Sequence, residues 1–213
     1  MSRPFPIILS SPSGGGKTTI AKELLKRRTD VGYSVSCTTR LPRTGEVDGK
    51  DYYFLSRGEF EQARDRGDFA EWAEVHGRYY GTLRREVERV LGSGRHVLMD
   101  IDVQGALQFH RSFPESVLVF VLPPSADVLL TRLRARKTES RDGLVTRLRS
   151  ALQELRALGN YEYVVVNDDL EQAVARVSAI IDAEVVRHER TQDLERRVTA
   201  LMGELEREIG EST

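Results

Sequence analysis

Four short apolar runs punctuate the chain, at residues 5–10, 96–101, Val117–Leu122 and 163–167, each separated from the next by charged stretches long enough for helices. Consecutive apolar positions, rather than alternating ones, predict strands buried on both faces, as in a parallel sheet. Helical spacing predicts helices over 18–28, 83–91, 126–136, 143–158 and from about Leu170 onward. This order is βα alternation and implies an α/β fold with helices covering a parallel sheet.

Residues 32–81 break the pattern. They are richer in aromatic and β-forming residues, and the runs at 33–36, 52–55 and Phe69–Val75 predict a small β subdomain inserted after the first helix. Within it, Ser56 followed by Glu59 reads as a capping box opening a short helix through about Arg66. There is no internal repeat and no low-complexity linker. Beyond Val186 the chain is highly charged, with Leu194, Val198, Leu201 and Leu205 forming a heptad-like stripe. About two heptads are marginal alone, so the reading is an amphipathic helix packed on its own domain or fraying in solvent, with the chain a monomer or a homo-oligomer whose tail assists self-association.

Composition narrows the classes. The 213 residues suit one domain with a small insertion or lid rather than two full domains. A net charge of -1 gives no reason to expect a nucleic-acid or anionic-membrane partner. Cys37 is the single cysteine, and no apolar run approaches the roughly 18 residues of a membrane span. The expectation is a soluble cytoplasmic protein. His76, His96, His110 and His188 lack metal-ligand spacing and are read structurally.

The first strand runs into Ser11-Pro12-Ser13-Gly14-Gly15-Gly16-Lys17-Thr18 and then a helix. This is a Walker A phosphate loop with Ser11 where glycine is usual. Three consecutive glycines allow backbone N–H groups to turn around phosphate oxygens at the positive end of the following helix. Lys17 would reach the β and γ phosphates of ATP. Thr18, beside Thr19, would offer a hydroxyl to Mg²⁺. Asp100, ending the second apolar run, fits a Walker B acid that orients the same ion directly or through water, although strand ends often carry acids. The fold class implied is a P-loop NTPase-type parallel sheet flanked by helices.

A phosphate loop does not name the acceptor. The inserted segment does: Ser36-Cys37-Thr38-Thr39-Arg40-Leu41-Pro42-Arg43-Thr44-Gly45-Glu46, followed by Gly49-Lys50-Asp51-Tyr52, resembles the signature of the guanylate kinase family. The resemblance continues through Glu71-Trp72-Ala73, Tyr79-Tyr80-Gly81-Thr82, Asp100-Ile101-Asp102-Val103-Gln104-Gly105 and Val166-Asn167-Asp168-Asp169, in family order from about Phe5 to Val186. It implies transfer of the γ-phosphoryl of ATP to GMP or dGMP, with a small mixed β GMP-binding subdomain and a helical lid.

By that resemblance Arg40, Arg43, Tyr52 and Tyr80 hold the GMP phosphate. Glu71 and Asp102 accept from guanine N1 and N2, and Ser36 and Thr82 bond near O6. The polarity is chemically sensible, because adenine presents a lone pair at N1 that a carboxylate cannot satisfy. The resemblance also makes Arg132, Arg136 and Arg147 the lid arginines that contact phosphates. Asn167 falls near the adenine side, whereas Arg141 has no family match and is read as a solvated charge. The expected division is a core at 1–31, 82–124 and 160–186, the insertion at 32–81, a lid at 125–159 and a tail at 187–213. Two rivals remain: a non-catalytic protein-interaction module of the same fold, and a P-loop kinase for another phosphorylated small molecule.

Overall fold

The computed structural model describes residues 3–75, 77–134 and 141–211. Strands β1 (Pro6–Ser10), β2 (Val31–Tyr33), β7 (His96–Asp100), β8 (Val117–Leu122) and β9 (Tyr163–Val166) form a five-stranded sheet in the order β2-β7-β1-β8-β9, all parallel. Along β1, Ile7 and Leu9 face one side and Ile8 the other, and all three are buried. On the first side they meet helices α1 (Lys17–Arg27) and α7 (Leu170–Val185) through Ile20, Leu24, Val174, Val177 and Ile181. On the second they meet α3 (Arg84–Gly92) and α4 (Val103–Ser112) through Val87, Val90, Ala106 and Phe109. Both faces being covered explains why the strands read as continuous apolar runs. Each fully buried aliphatic or aromatic side chain here contributes about 1.5–3 kcal/mol.

A second sheet, ordered β4-β3-β6-β5, is built from β3 (Cys37–Thr38), β4 (Tyr53–Phe54), β5 (Phe69–Val75) and β6 (Arg78–Leu83). It is mixed, with β3 parallel to β4 and antiparallel to β6. Its small core stacks Phe60, from α2 (Arg57–Asp65), against Phe69 at 4.4 Å and Tyr79 at 5.2 Å between ring centroids. The capping box expected at Ser56 and Glu59 is present with both of its hydrogen bonds. Helix α4 joins the two sheets: Trp72 N–H donates to Gln108 Oε1 at 2.8 Å, and the Ser112 hydroxyl to the Ala70 carbonyl at 3.2 Å. Helices α5 (Ala126–Arg134) and α6 (Arg141–Arg156) pack together through Leu129, Leu133, Leu148 and Ala151. Helix α8 (Leu194–Glu211) follows a turn at Asp193.

Four details depart from the sequence reading. The run expected at 33–36 is not a strand of the insertion: Val31–Tyr33 pairs with His96–Leu98 in the large sheet, because Val31 is buried there and Tyr33 reaches Asp100. Helix α4 and strand β6 were not anticipated, yet Val103, Ala106 and Phe109 lie at helical spacing behind Asp102. The last core strand ends at Val166 rather than Asn167, whose side chain is drawn to the phosphate loop. Helix α8 has no buried residue, so it is not packed into its own domain.

Candidate functional site

The loop from Ser11 to Thr18 leaves the carboxyl end of β1, the central strand. This is the position where open α/β sheets bind ligands. Gly14 and Gly16 have φ of 86° and 97°, a region in which side chains are rarely tolerated. A Cβ on Gly16 would collide with Asn167 Nδ2, and one on Gly15 would lie 2.6 Å from Ser11 Cβ. The loop is also pinned by hydrogen bonds. Gly15 N–H donates to the Pro12 carbonyl at 2.7 Å, and the Gly15 carbonyl accepts from buried Asn167 at 2.8 Å and from Arg132 at 3.4 Å. Ser11 is buried and donates to the Pro12 carbonyl at 3.0 Å, so the non-glycine first position is absorbed by the loop itself.

Lys17 opens α1, next to Thr18. The Thr18 hydroxyl donates to Asp100 Oδ2 at 2.5 Å, and the other oxygen of Asp100 accepts from Tyr33 at 2.6 Å. Burial, then the Asp100 charge, push the Tyr33 phenol well above its ordinary range, so it stays a donor. A hydroxyl beside a carboxylate is a hard, all-oxygen donor pair of the kind Mg²⁺ takes together with phosphate oxygens and water. Among the described residues no cluster of three or more His, Cys, Asp or Glu could hold a metal without such help. From α6, Glu154 accepts from Ser13 N–H at 3.2 Å, and burial raises its carboxyl.

Across the carboxyl edge lies an open cleft of about 430 Å³ between the second sheet and α6, lined by Arg40, Arg43, Val75, Arg78, Tyr80, Gly143, Thr146 and Arg147. Four guanidinium groups around one cleft favour a multiply charged anion. Arg40 is itself ordered. Its fork holds Glu46 through two contacts of 2.6 Å, and its guanidinium lies 4.8 Å from the Tyr52 ring centroid. Glu46 also accepts from Arg43 N–H at 2.7 Å. The Arg40 hydrogen bonds hold the Glu46 carboxyl down at about 2, and Arg40 is raised in turn. Tyr52 meets Tyr80 edge to face at 6.2 Å.

Deeper in, Glu71 is 4 % exposed and accepts from the Thr82 hydroxyl at 2.6 Å. Its other oxygen lies where a Cβ on Gly105 would be 2.6 Å away, so glycine there makes room for the carboxylate. Burial first, and the nearby Asp102 charge second, push Glu71 up to about 7, against the lowering bond from Thr82. Asp102 caps α4, its Oδ1 accepting from Gln104 N–H at 2.8 Å and Gly105 N–H at 3.0 Å. Ser36 is half-buried, and its carbonyl accepts from Tyr53 N–H at 2.9 Å.

The expected site residues thus gather along one edge in two groups, one at the phosphate loop and one on the second sheet. Thr18 and Thr19 are both exposed on α1, Thr18 tied to Asp100, and Arg136 lies outside the described residues. Tyr33, Glu46, Arg78 and Glu154 were not singled out as site residues. Only Glu46 had a sequence signal, its place at the end of the arginine-rich motif.

A parallel sheet with a lysine-bearing phosphate loop, an acid on the adjacent strand and a separate arginine-lined cleft defines a P-loop kinase. The family model for guanylate kinase matches residues 3–184. Guanylate kinase of Caldanaerobacter subterraneus subsp. tengcongensis is 46% identical over 188 residues, covering 88% of this chain and 91% of the relative. That of Chelativorans sp. is 47% identical over 93% of this chain and 91% of its own. The crystal structure of guanylate kinase from Anaplasma phagocytophilum superposes with a TM-score of 0.76 at 36% identity, covering 92% of this chain and 94% of that one. The chain belongs to the guanylate kinase family.

Proposed function

We propose that this protein catalyses ATP-dependent phosphorylation of GMP, and of dGMP, releasing ADP. The observation that carries the acceptor assignment is the buried Glu71, oriented by Thr82 beside Asp102 and a short way from an arginine-lined cleft. The pair of acids suits the N1–H and N2 amino donors of guanine, and the cleft suits its phosphate. Ser36 is assigned to the same base pocket, near O6. Arg40, Arg43, Tyr52 and Tyr80 are assigned to the acceptor phosphate, with Glu46 holding the Arg40 fork in place.

On the donor side, residues 11–19 are assigned to ATP, with Lys17 on the β and γ phosphates and Asn167 and Arg132 supporting the loop. Mg²⁺ would be held at Thr18 and Asp100, directly or through water, and when bound it neutralises phosphate charge. The acceptor oxygen is already anionic at neutral pH, so no general base is required and the work lies in positioning and charge neutralisation. Arg136 and Arg147 are assigned to the migrating phosphoryl, on a lid formed by 125–159. Closure of that lid over the insertion at 32–81 would draw Arg147, which already lines the acceptor cleft, closer to the acceptor and exclude water, the competing acceptor. The remaining core is taken as 1–31, 82–124 and 160–186. Among the described residues no helix is long and apolar enough to cross a membrane. A cytoplasmic setting is proposed from the substrates.

A coupled ADP-release assay offering GMP, AMP, CMP and UMP side by side tests the reading. Turnover is expected with GMP well above the others. Equal turnover with AMP, or none with any nucleotide in folded protein, would overturn it.

A further inference from the structure

Helix α8 presents a surface that the reaction does not use. The chain is clamped to the core as far as Arg190. The Arg190 carbonyl accepts from Arg3 N–H at 3.1 Å, its guanidinium lies 4.1 Å from the Phe5 ring centroid, and its Nε contacts buried Glu184 at 3.0 Å. Asp193, with a φ of 57°, then turns the chain into α8. The helix is therefore carried on an ordered anchor, yet Val198, Leu201, Met202, Leu205 and Ile209 are 46%, 56%, 54%, 57% and 67% exposed. Scattered exposed apolar residues are ordinary, but a contiguous stripe on one helix marks an interaction surface.

Two features of the stripe specify its occupant. From Leu194 through Val198, Leu201, Met202 and Leu205 to Ile209 the intervals are four, three, one, three and four residues, so the stripe has the same spacing in either chain direction. A second copy running the opposite way presents matching apolar layers. The charges then distinguish the two directions. The first turn after Leu194 carries one acid and two arginines (Glu195, Arg196, Arg197), net +1, whereas the last two turns carry four acids and one arginine (Glu204, Glu206, Arg207, Glu208, Glu211), net −3. Parallel pairing would set the acidic ends together, and antiparallel pairing sets each acidic end beside a basic one.

We propose that α8 pairs antiparallel with α8 of a second copy of this chain, forming a two-fold dimer outside the catalytic machinery. At 1.5 Å per residue the helix is about 27 Å long, so the contact is small and the dimer depends on concentration.

Light scattering and sedimentation of the full chain across a concentration series test this. The expected mass rises from 24.1 kDa toward twice that value. Leu201→Glu should raise the dissociation constant roughly tenfold or more while GMP phosphorylation stays unchanged, which also reports that the variant is folded. For direction, Arg197→Cys and Glu206→Cys chains are mixed and oxidised, and the 197–206 cross-link should dominate over 206–206. A monomer at every concentration, a dimer indifferent to Leu201→Glu, or a dominant 206–206 link would each overturn the proposal.

Discussion

The phosphate loop and the arginine-lined cleft both receive phosphate in this reading, but they are built differently. The loop is a backbone device. Positive-φ glycines shape it, and Asn167 and Arg132 brace the Gly15 carbonyl from two distant elements. The cleft is a side-chain device, open and lined by long arginines from the second sheet and α6, of which Arg40 is held by Glu46. A rigid cradle suits a triphosphate that binds in one pose. A cleft with walls on separate elements suits an acceptor that must be enclosed before transfer, because the charge it stabilises spreads only at that moment.

The largest effect expected from breaking this contrast is at Lys17. Lys17→Ala should cut kcat by about 10³-fold or more while GMP affinity by calorimetry stays within about twofold, since the donor loop and the guanine pocket are separate. A parallel loss of GMP binding in folded protein would merge two regions held here to be distinct.

Next is Gly16→Ala, which attacks backbone shape alone. It forces a side chain into a positive-φ position against Asn167, so ATP affinity should fall about 10- to 100-fold with GMP affinity little changed. Fluorescent nucleotide titration measures the first and calorimetry the second. Normal ATP binding would show that the loop yields more easily than its bracing suggests.

On the acceptor side, Glu71→Gln keeps one acceptor but adds a donor facing a donor, and should lower kcat/KM for GMP by roughly 10-fold, with a smaller loss for IMP, which lacks the N2 amino group. A variant indistinguishable from wild type on GMP would remove Glu71 from the guanine site.

The pH dependence sharpens the same point. Because burial raises Glu71 to about 7, above its unfolded value, the protonated form stabilises the free enzyme; that stability is fully present below the ordinary carboxyl range and is lost as pH rises through about 7. Guanine donors require the carboxylate. GMP affinity should therefore strengthen several-fold between about pH 6 and about pH 8, beyond the change seen in Glu71→Gln, where only the nucleotide's own phosphate titrates. Identical profiles in the two proteins would contradict this assignment.

The smallest effect is expected at Glu46. Glu46→Gln loosens the Arg40 fork without removing the arginine, so KM for GMP should rise a few-fold, by roughly 1 kcal/mol or less, because the pair is partly exposed. Steady-state kinetics would show it, and an unchanged KM would make the fork incidental to the acceptor.

Legibility followed locality. The phosphate loop was readable because its determinants are contiguous: strand, three glycines, lysine and hydroxyl stand within one short stretch, and the continuous apolar runs reported a sheet covered on both faces. Arg40, Arg43, Glu71 and Asp102 were readable only as a set of spaced motifs, since each alone is an ordinary charged residue. Helix α4 is present in the spacing of Val103, Ala106 and Phe109, but Gly105 interrupts that short stripe, and Asp102 serves as its cap as well as standing beside Glu71.

What the sequence determined by itself was the chemistry available and the class of fold, because glycine conformations, charge polarity and hydrophobic period act over a few residues. Only the tertiary structure decided that Tyr33 braces Asp100 from a neighbouring strand, that Glu154 reaches Ser13 from a helix 141 positions away, and that burial, aided by the Asp102 charge, lifts Glu71 toward neutrality. Those outcomes depend on which surfaces exclude water and which distant groups meet, and neither is encoded in any short stretch of chain.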